Sequence, residues 1–188
     1  MWSPEKSAIC RRLTAIAMAL ALAGATAGCF QPLYGERPVT GGPDIRGHLS
    51  GVDVVPIDVP NGTPAARLAV EVRNALIFEL TGGGGMSAST HRLQIHLRPS
   101  RQQVIVDITT ARPDVENYGI DATYTLTELG SKKVVMTGQT FARVSFDIPG
   151  QQQRFARARG LRDAEDRASK VIAEHIRSRL ASYFVTGS

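Results

Sequence analysis

The sequence predicts an α+β fold: a two-layer sandwich with two helices on one face of a roughly four-stranded sheet, in the order β-α-β-β-β-α. Three observations predict it. Two stretches carry apolar residues at three- and four-residue steps, and four others read as strands, one a β-branched run and three alternating. Turn-forming residues join the last three of those strands. A helix with one apolar stripe and a strand with one apolar face bury them against each other, which makes two layers. The 188-residue length fits one domain with a leader, and 43% hydrophobic residues exclude a disordered chain.

The leader comes first. Arg11 and Arg12 precede the apolar run Leu13 to Ala23, and small residues lead to Cys29. The uncharged stretch from Leu13 to Gly28 is about 16 residues, short of the roughly 20 that span a bilayer. Basic flank, short apolar core and small residues before a cut site form a secretory signal. A signal anchor, or a plain secretory peptide with a chance cysteine, would use the same features. Ala27-Gly28 directly before Cys29 resembles a bacterial lipobox, although Thr26 stands where leucine is commoner. On that reading residues 1–28 are a lipoprotein signal peptide. Cys29 becomes the first residue of the mature chain and carries a diacylglyceryl group on its sulfur, with palmitate expected among the acyl chains. Cys10 is removed with the leader, and acylation of Cys29 spares the mature chain a free thiol in an oxidising compartment. Phe30 follows, not the aspartate that resemblance to Gram-negative lipoproteins associates with inner-membrane retention. The expected location is therefore the outer membrane, lipid-anchored and facing the periplasm.

Losing Lys6, Arg11, Arg12 and Glu5 lowers the formal charge from +5 to +3. A secreted, anchored chain meets no nucleic acid, so the basic excess points to an anionic partner in the envelope.

Residues 29–49 hold Pro32, Pro38, Gly41, Gly42, Pro43 and Gly47 and read as a lipidated tether without an element of its own. Residues 50–188 then form a single domain. Val52 to Ile57 is a first strand, with Pro56 marking an edge or an end. Thr63 is a helix cap and Pro64 suits the first helical position. Leu68, Val72, Leu76 and Leu80 make a helix that the run Gly82 to Gly85 stops. Leu93, Ile95 and Leu97 alternate with polar residues, Pro99 interrupts, and Val104 to Ile108 resumes. Arg112-Pro113-Asp114 is a turn, Tyr118 to Leu126 a strand, and Gly130 to Lys133 a hairpin turn. Val134 to Phe146 is the last strand, with Gly138 as a bulge. Gly150 to Arg154 is a polar loop. A final helix runs from about Gly160 to Phe184, with His175 on its buried stripe. The sheet face opposite the helices is rich in Thr, Gln and Asp and is left for solvent or a polar partner.

No catalytic constellation is present. The sequence has no nucleophile elbow, zinc-protease pattern or Walker motif. Gly82 to Gly85 follows a helix and lacks the lysine of a phosphate loop. His91 and His96 are an odd number of residues apart, so they face opposite sides of a strand and cannot share a metal. Asp163, Glu165 and Asp166 read as a solvated first turn. No enzyme activity, metal or cofactor is expected. Two basic sites stand outside the predicted elements: the hairpin around Arg112, and the loop with Arg154, Arg157 and Arg159. Arginine on exposed backbone suits phosphate recognition.

The stretch Gly28-Cys29-Phe30-Gln31-Pro32-Leu33-Tyr34-Gly35 resembles the lipopolysaccharide-assembly lipoprotein family LptE. Members often open Gly-Cys-Gly-Phe before Pro-Leu-Tyr-Gly. This chain lacks the glycine after the cysteine. The β-α-β-β-β-α order and the last helix, with Asp166-Arg167-Ala168 before Ile176 to Leu180, agree. The resemblance implies a non-enzymatic subunit of the lipopolysaccharide translocon, which plugs an LptD-type outer-membrane barrel, assists its assembly, and binds lipopolysaccharide for delivery to the outer leaflet. By position it implies lipopolysaccharide contacts at Arg112, Arg154 and Arg157. The competing expectation is another envelope lipoprotein, a peptidoglycan-binding or secretion-assembly module.

Overall fold

The computed structural model describes residues 44–107, 112–147 and 154–187, together with Met18. The chain divides into two units, Met1–Gly42 and Pro43–Ser188, and the fold lies in the second. The signal peptide, Cys29 and most of the tether lie outside the described residues.

A short helix α1 (Ile45–Ser50) precedes the first strand, and its residues 45–49 fall in the stretch read above as having no element of its own. The Asp44 carboxylate accepts from the Gly47 N–H at 3.0 Å, and Leu49 is buried. A local cap and one core side chain are enough to dock this turn. Strand β1 (Val52–Val54) follows and stops before Pro56. It is an edge strand, parallel to β2 (His91–Asp107) over Val52↔His91 to Val54↔Leu93.

Helix α2 (Pro64–Thr81) starts as its sequence dictates. The Thr63 hydroxyl accepts from the Ala66 N–H at 3.2 Å, and Pro64 fills a position needing no donor. Gly82, at φ +64°, takes the left-handed cap that ends the helix. Leu68, Val72, Leu76 and Leu80 face inward.

Strands β2, β3 (Arg112–Glu128) and β4 (Val134–Asp147) pair antiparallel, in the sheet order β1-β2-β3-β4. Three sequence expectations change here. Pro99 does not interrupt β2, but pairs with Ile120 within a continuous strand. Pairing with β1 ends at Leu93, so Pro99 sits where β2 has an open edge and its missing N–H breaks no ladder. Arg112-Pro113-Asp114 is not a turn: Asp107↔Arg112 and Val106↔Pro113 extend the ladder, and residues 108–111 lie outside the described residues. Gly138 is not the bulge, which lies at Leu126/Thr127. Gly138 pairs with Tyr124, and a Cβ there would run into the Tyr124 ring.

The last helix, α3 (Arg154–Thr186), has 33 residues and spans about 50 Å. It starts six residues before the expected Gly160, so Arg154, Arg157 and Arg159 belong to its first turns and not to a loop. Gly160 serves packing: a Cβ there would lie 3.2 Å from the Phe146 ring of β4. Helices α2 and α3 cover the same sheet face, and the core between them holds Leu68, Leu76, Leu93, Ile95, Ile120, Tyr124, Leu126, Ile172, Ile176 and Leu180. Two residues of α3 depart from expectation. His175 is exposed on the margin of the stripe, where its Nδ1 lies 3.0 Å from the Thr140 hydroxyl of the edge strand. Glu165 is buried because it shares the stripe with Ser169, Ile172 and Ile176 at three- and four-residue steps.

Candidate functional site

The predicted site residues converge on one end of the sheet. Arg112 opens β3 opposite Asp107, and Val115, three residues on, pairs with Asp147 at the end of β4. Helix α3 begins seven residues after Asp147 at Arg154. The backbone thus carries Arg112 and Arg154 to the end of the sheet where β4 finishes and α3 starts. Cys29 lies outside the described residues.

Arg157 is placed differently from a free ligand-binding arginine. Its Nη2 lies 3.2 Å from Oε2 of Glu116 on β3, and Arg101 Nε on β2 lies 3.9 Å from Oε1. Glu116 is only 4% exposed. A buried carboxylate needs compensating charge, and two guanidinium groups from separate elements provide it. This carboxylate was missed in the sequence, although its register shows it: Glu116 has the same parity as the inward Tyr118, Ile120 and Ala122.

A second buried carboxylate lies nearby. Glu165 accepts from Arg67 of α2, tying the two helices together. Tyr118, buried on β3 beneath them, has its hydroxyl pKa pushed up to about 12, first by burial and then by the Glu165 charge. Helix α3 also forms ladders at its surface, Arg167 to Asp163 at 2.8 Å and Lys170 to Asp166 at 2.7 Å. Of the acidic trio read as a solvated first turn, only Asp163 and Asp166 reach solvent, and all three sit in the helix interior.

The open sheet face is polar, and several of its groups pair with one another. Arg143 makes a bidentate contact to Asp121 at 2.9 and 3.1 Å, and Ser145 lies 2.6 Å from Asn117. Gln94, His96, Thr123 and Gln139 fill the centre, and Phe141 is its exposed large apolar side chain. His91 and His96 diverge as expected: His91 packs edge-on against Phe184 at 5.1 Å, while His96 faces out. Among the described residues no cluster of acids, histidines and cysteines could hold a metal, and no helix is long and apolar enough to cross a membrane.

This architecture is shared. A protein of Caulobacter crescentus CB15 assigned as a lipoprotein superposes with a TM-score of 0.59 at 18% identity, over 76% of this chain and 96% of that one. A minor lipoprotein from Acinetobacter baumannii gives 0.49 at 12% identity, over 70% and 88% of the two chains. The rare lipoprotein B from Shewanella oneidensis gives 0.48 at 13%, over 70% and 93%. At these identities the first likeness establishes the fold alone. No curated protein matches the sequence. The family described as LptE, lipopolysaccharide-assembly, matches residues 49–180, which is more than half of the chain and the whole core from α1 to Leu180. The chain therefore belongs to the LptE lipopolysaccharide-assembly family.

Proposed function

We propose that this protein is the lipid-anchored, non-enzymatic LptE-type subunit of a lipopolysaccharide translocon. It is held at the outer membrane through Cys29, seats in the lumen of an LptD-type barrel, and assists that barrel's assembly. The family match over residues 49–180 carries the reading. The open sheet face supports it, because a barrel lumen is polar and asks a plug for satisfied polar contacts more than for a large apolar patch. Acyl chains on Cys29 would provide stable attachment. Lipopolysaccharide is contacted at the end of the sheet, by Arg112 and Arg154 directly. Arg157 is held on Glu116, with half of its side chain still exposed.

A mild-detergent pull-down of the tagged lipoprotein from outer membranes, read by mass spectrometry, tests the partner. A stoichiometric large barrel supports the reading. A peptidoglycan-associated partner, or a lone monomer, refutes it in favour of another envelope role. Arg112→Ala with Arg154→Ala is expected to weaken lipopolysaccharide binding and leave the fold intact. Unchanged binding would remove those arginines from the site.

A further inference from the structure

A separate cleft of about 500 Å³ opens between the start of α2, the middle of β2 and the early part of α3. Its walls include Arg67, Leu68, Ser100, Arg101, Tyr118 and Leu161. It is distinct from the hairpin that carries Arg112, although Arg101 shares Glu116 with Arg157. Arg101 is six residues along β2 from Asp107, the partner of Arg112, which is about 20 Å at roughly 3.3 Å per residue.

Three features of this cleft are unexplained by the fold. Tyr118 is only 4% exposed as a residue, and its hydroxyl makes no hydrogen bond among the described residues. That hydroxyl is not sealed from solvent, so the open cleft is where a partner can reach it. Arg101 is more than half exposed and touches Glu116 only through Nε at 3.9 Å, while Arg157 already serves that carboxylate at 3.2 Å. The two terminal nitrogens of Arg101 have no partner among the described residues. Two guanidinium groups, Arg101 and Arg157, share the single carboxylate of Glu116, whereas Arg67 is held by Glu165, which itself lines the cleft.

We infer that this cleft binds the phosphate group of a ligand, with the Tyr118 hydroxyl and the Arg101 and Arg67 guanidinium groups as donors. The three donors come from β3, β2 and α2 and so approach from different directions. That suits the tetrahedral oxygens of a phosphate better than the two coplanar oxygens of a carboxylate. Burial holds the Tyr118 proton far above physiological pH, so the hydroxyl stays a donor. The cleft exceeds what a bare phosphate fills, and Leu68 and Leu161 line the remainder with apolar surface. The ligand is therefore a phosphate ester, and the simplest rival source of the same chemistry is free phosphate. The assignment does not rest on the translocon reading, and either can fail without the other.

The test uses the full chain in detergent with ring-labelled tyrosine, of which the sequence has four. The Tyr118 signal is identified by its loss in Tyr118→Phe. Inorganic phosphate and dihexanoylphosphatidic acid are titrated separately, with affinities from calorimetry. The expected result is a saturable shift of the Tyr118 signal, and affinity about tenfold weaker in both Tyr118→Phe and Arg101→Gln. Saturation by inorganic phosphate makes the anion sufficient by itself. Saturation by the phosphatidic acid alone assigns the apolar wall to the rest of a lipid headgroup. A Tyr118 signal that moves with neither probe overturns the proposal, as does wild-type affinity in both variants. Tyr118→Phe keeps the ring and its packing, so loss of binding there cannot be ascribed to unfolding.

Discussion

Replacing Arg157 by alanine tests whether this residue belongs to the fold or only to its surface. The guanidinium lies 3.2 Å from a carboxylate that is 4% exposed, and its own side chain is 50% exposed. An exposed ion pair is worth roughly 0–1 kcal/mol. A hydrogen bond to a charged group that is left buried on truncation costs about 1.5–3 kcal/mol. Arg101 at 3.9 Å retains part of the compensation. The expected loss for Arg157→Ala is therefore about 2 kcal/mol, or roughly 6–8 °C in the unfolding midpoint of a domain this size. Arg159→Ala is the control. Arg159 is exposed and makes no ion pair among the described residues, so its loss should stay within about 0.5 kcal/mol. Thermal unfolding followed by circular dichroism reads both. Glu116→Gln combined with Arg157→Ala should recover part of the loss, because no buried charge then remains unpaired. The reasoning is refuted if Arg157→Ala unfolds with the control, or if the double variant loses the full sum of the single losses. The result also bears on function, since lowered lipopolysaccharide binding by Arg157→Ala would otherwise be read as a lost ligand contact.

Gly138→Ala should destabilise by about 2 kcal/mol in urea unfolding, because the new methyl runs into the buried Tyr124 ring and the edge strand must shift. Leu180→Ala should cost about 2–5 kcal/mol by the same measurement, since Leu180 is fully buried between α3 and the core. Tyr118 adds a pH dependence. Its folded pKa is raised from 10 to about 12, so its contribution is complete below pH 10 and is lost as pH rises toward 12. The loss amounts to roughly 3 kcal/mol at most, and Tyr118→Phe should flatten that limb of the stability curve.

Local signals were legible and non-local ones were not. Thr63-Pro64 and Gly82 bounded α2 because caps act on their own backbone. Alternation found the three long strands because each has one buried face. Pro99 misled, since its tolerance depends on β1 being three residues long, a fact about a strand far earlier in the chain. Gly160 looked like a helix start because glycine weakens helices, yet it lies inside α3 where a Cβ would crowd Phe146. At the candidate site, parity could have exposed Glu116. Its two arginines come from β2 and α3, and no pattern within one element predicts that meeting.

The remaining choice is which face of the domain meets a barrel lumen, and the two faces differ in chemistry. The helix layer carries exposed Val70 and Phe78 in a groove of about 770 Å³. The sheet face presents polar groups around Thr123 and Gln139, with Arg143 paired to Asp121 and Arg92 to Asp53. A polar, water-lined lumen matches the second. Thr123 sits at the centre of that face and is exposed, so Thr123→Trp should leave stability within about 0.5 kcal/mol. A bulky ring there should nevertheless hinder seating and reduce co-purified barrel. Asn74→Trp, exposed in the helix groove, makes the matched comparison. If Asn74→Trp reduces barrel recovery and Thr123→Trp does not, the helix layer faces the lumen and the argument from polarity is wrong.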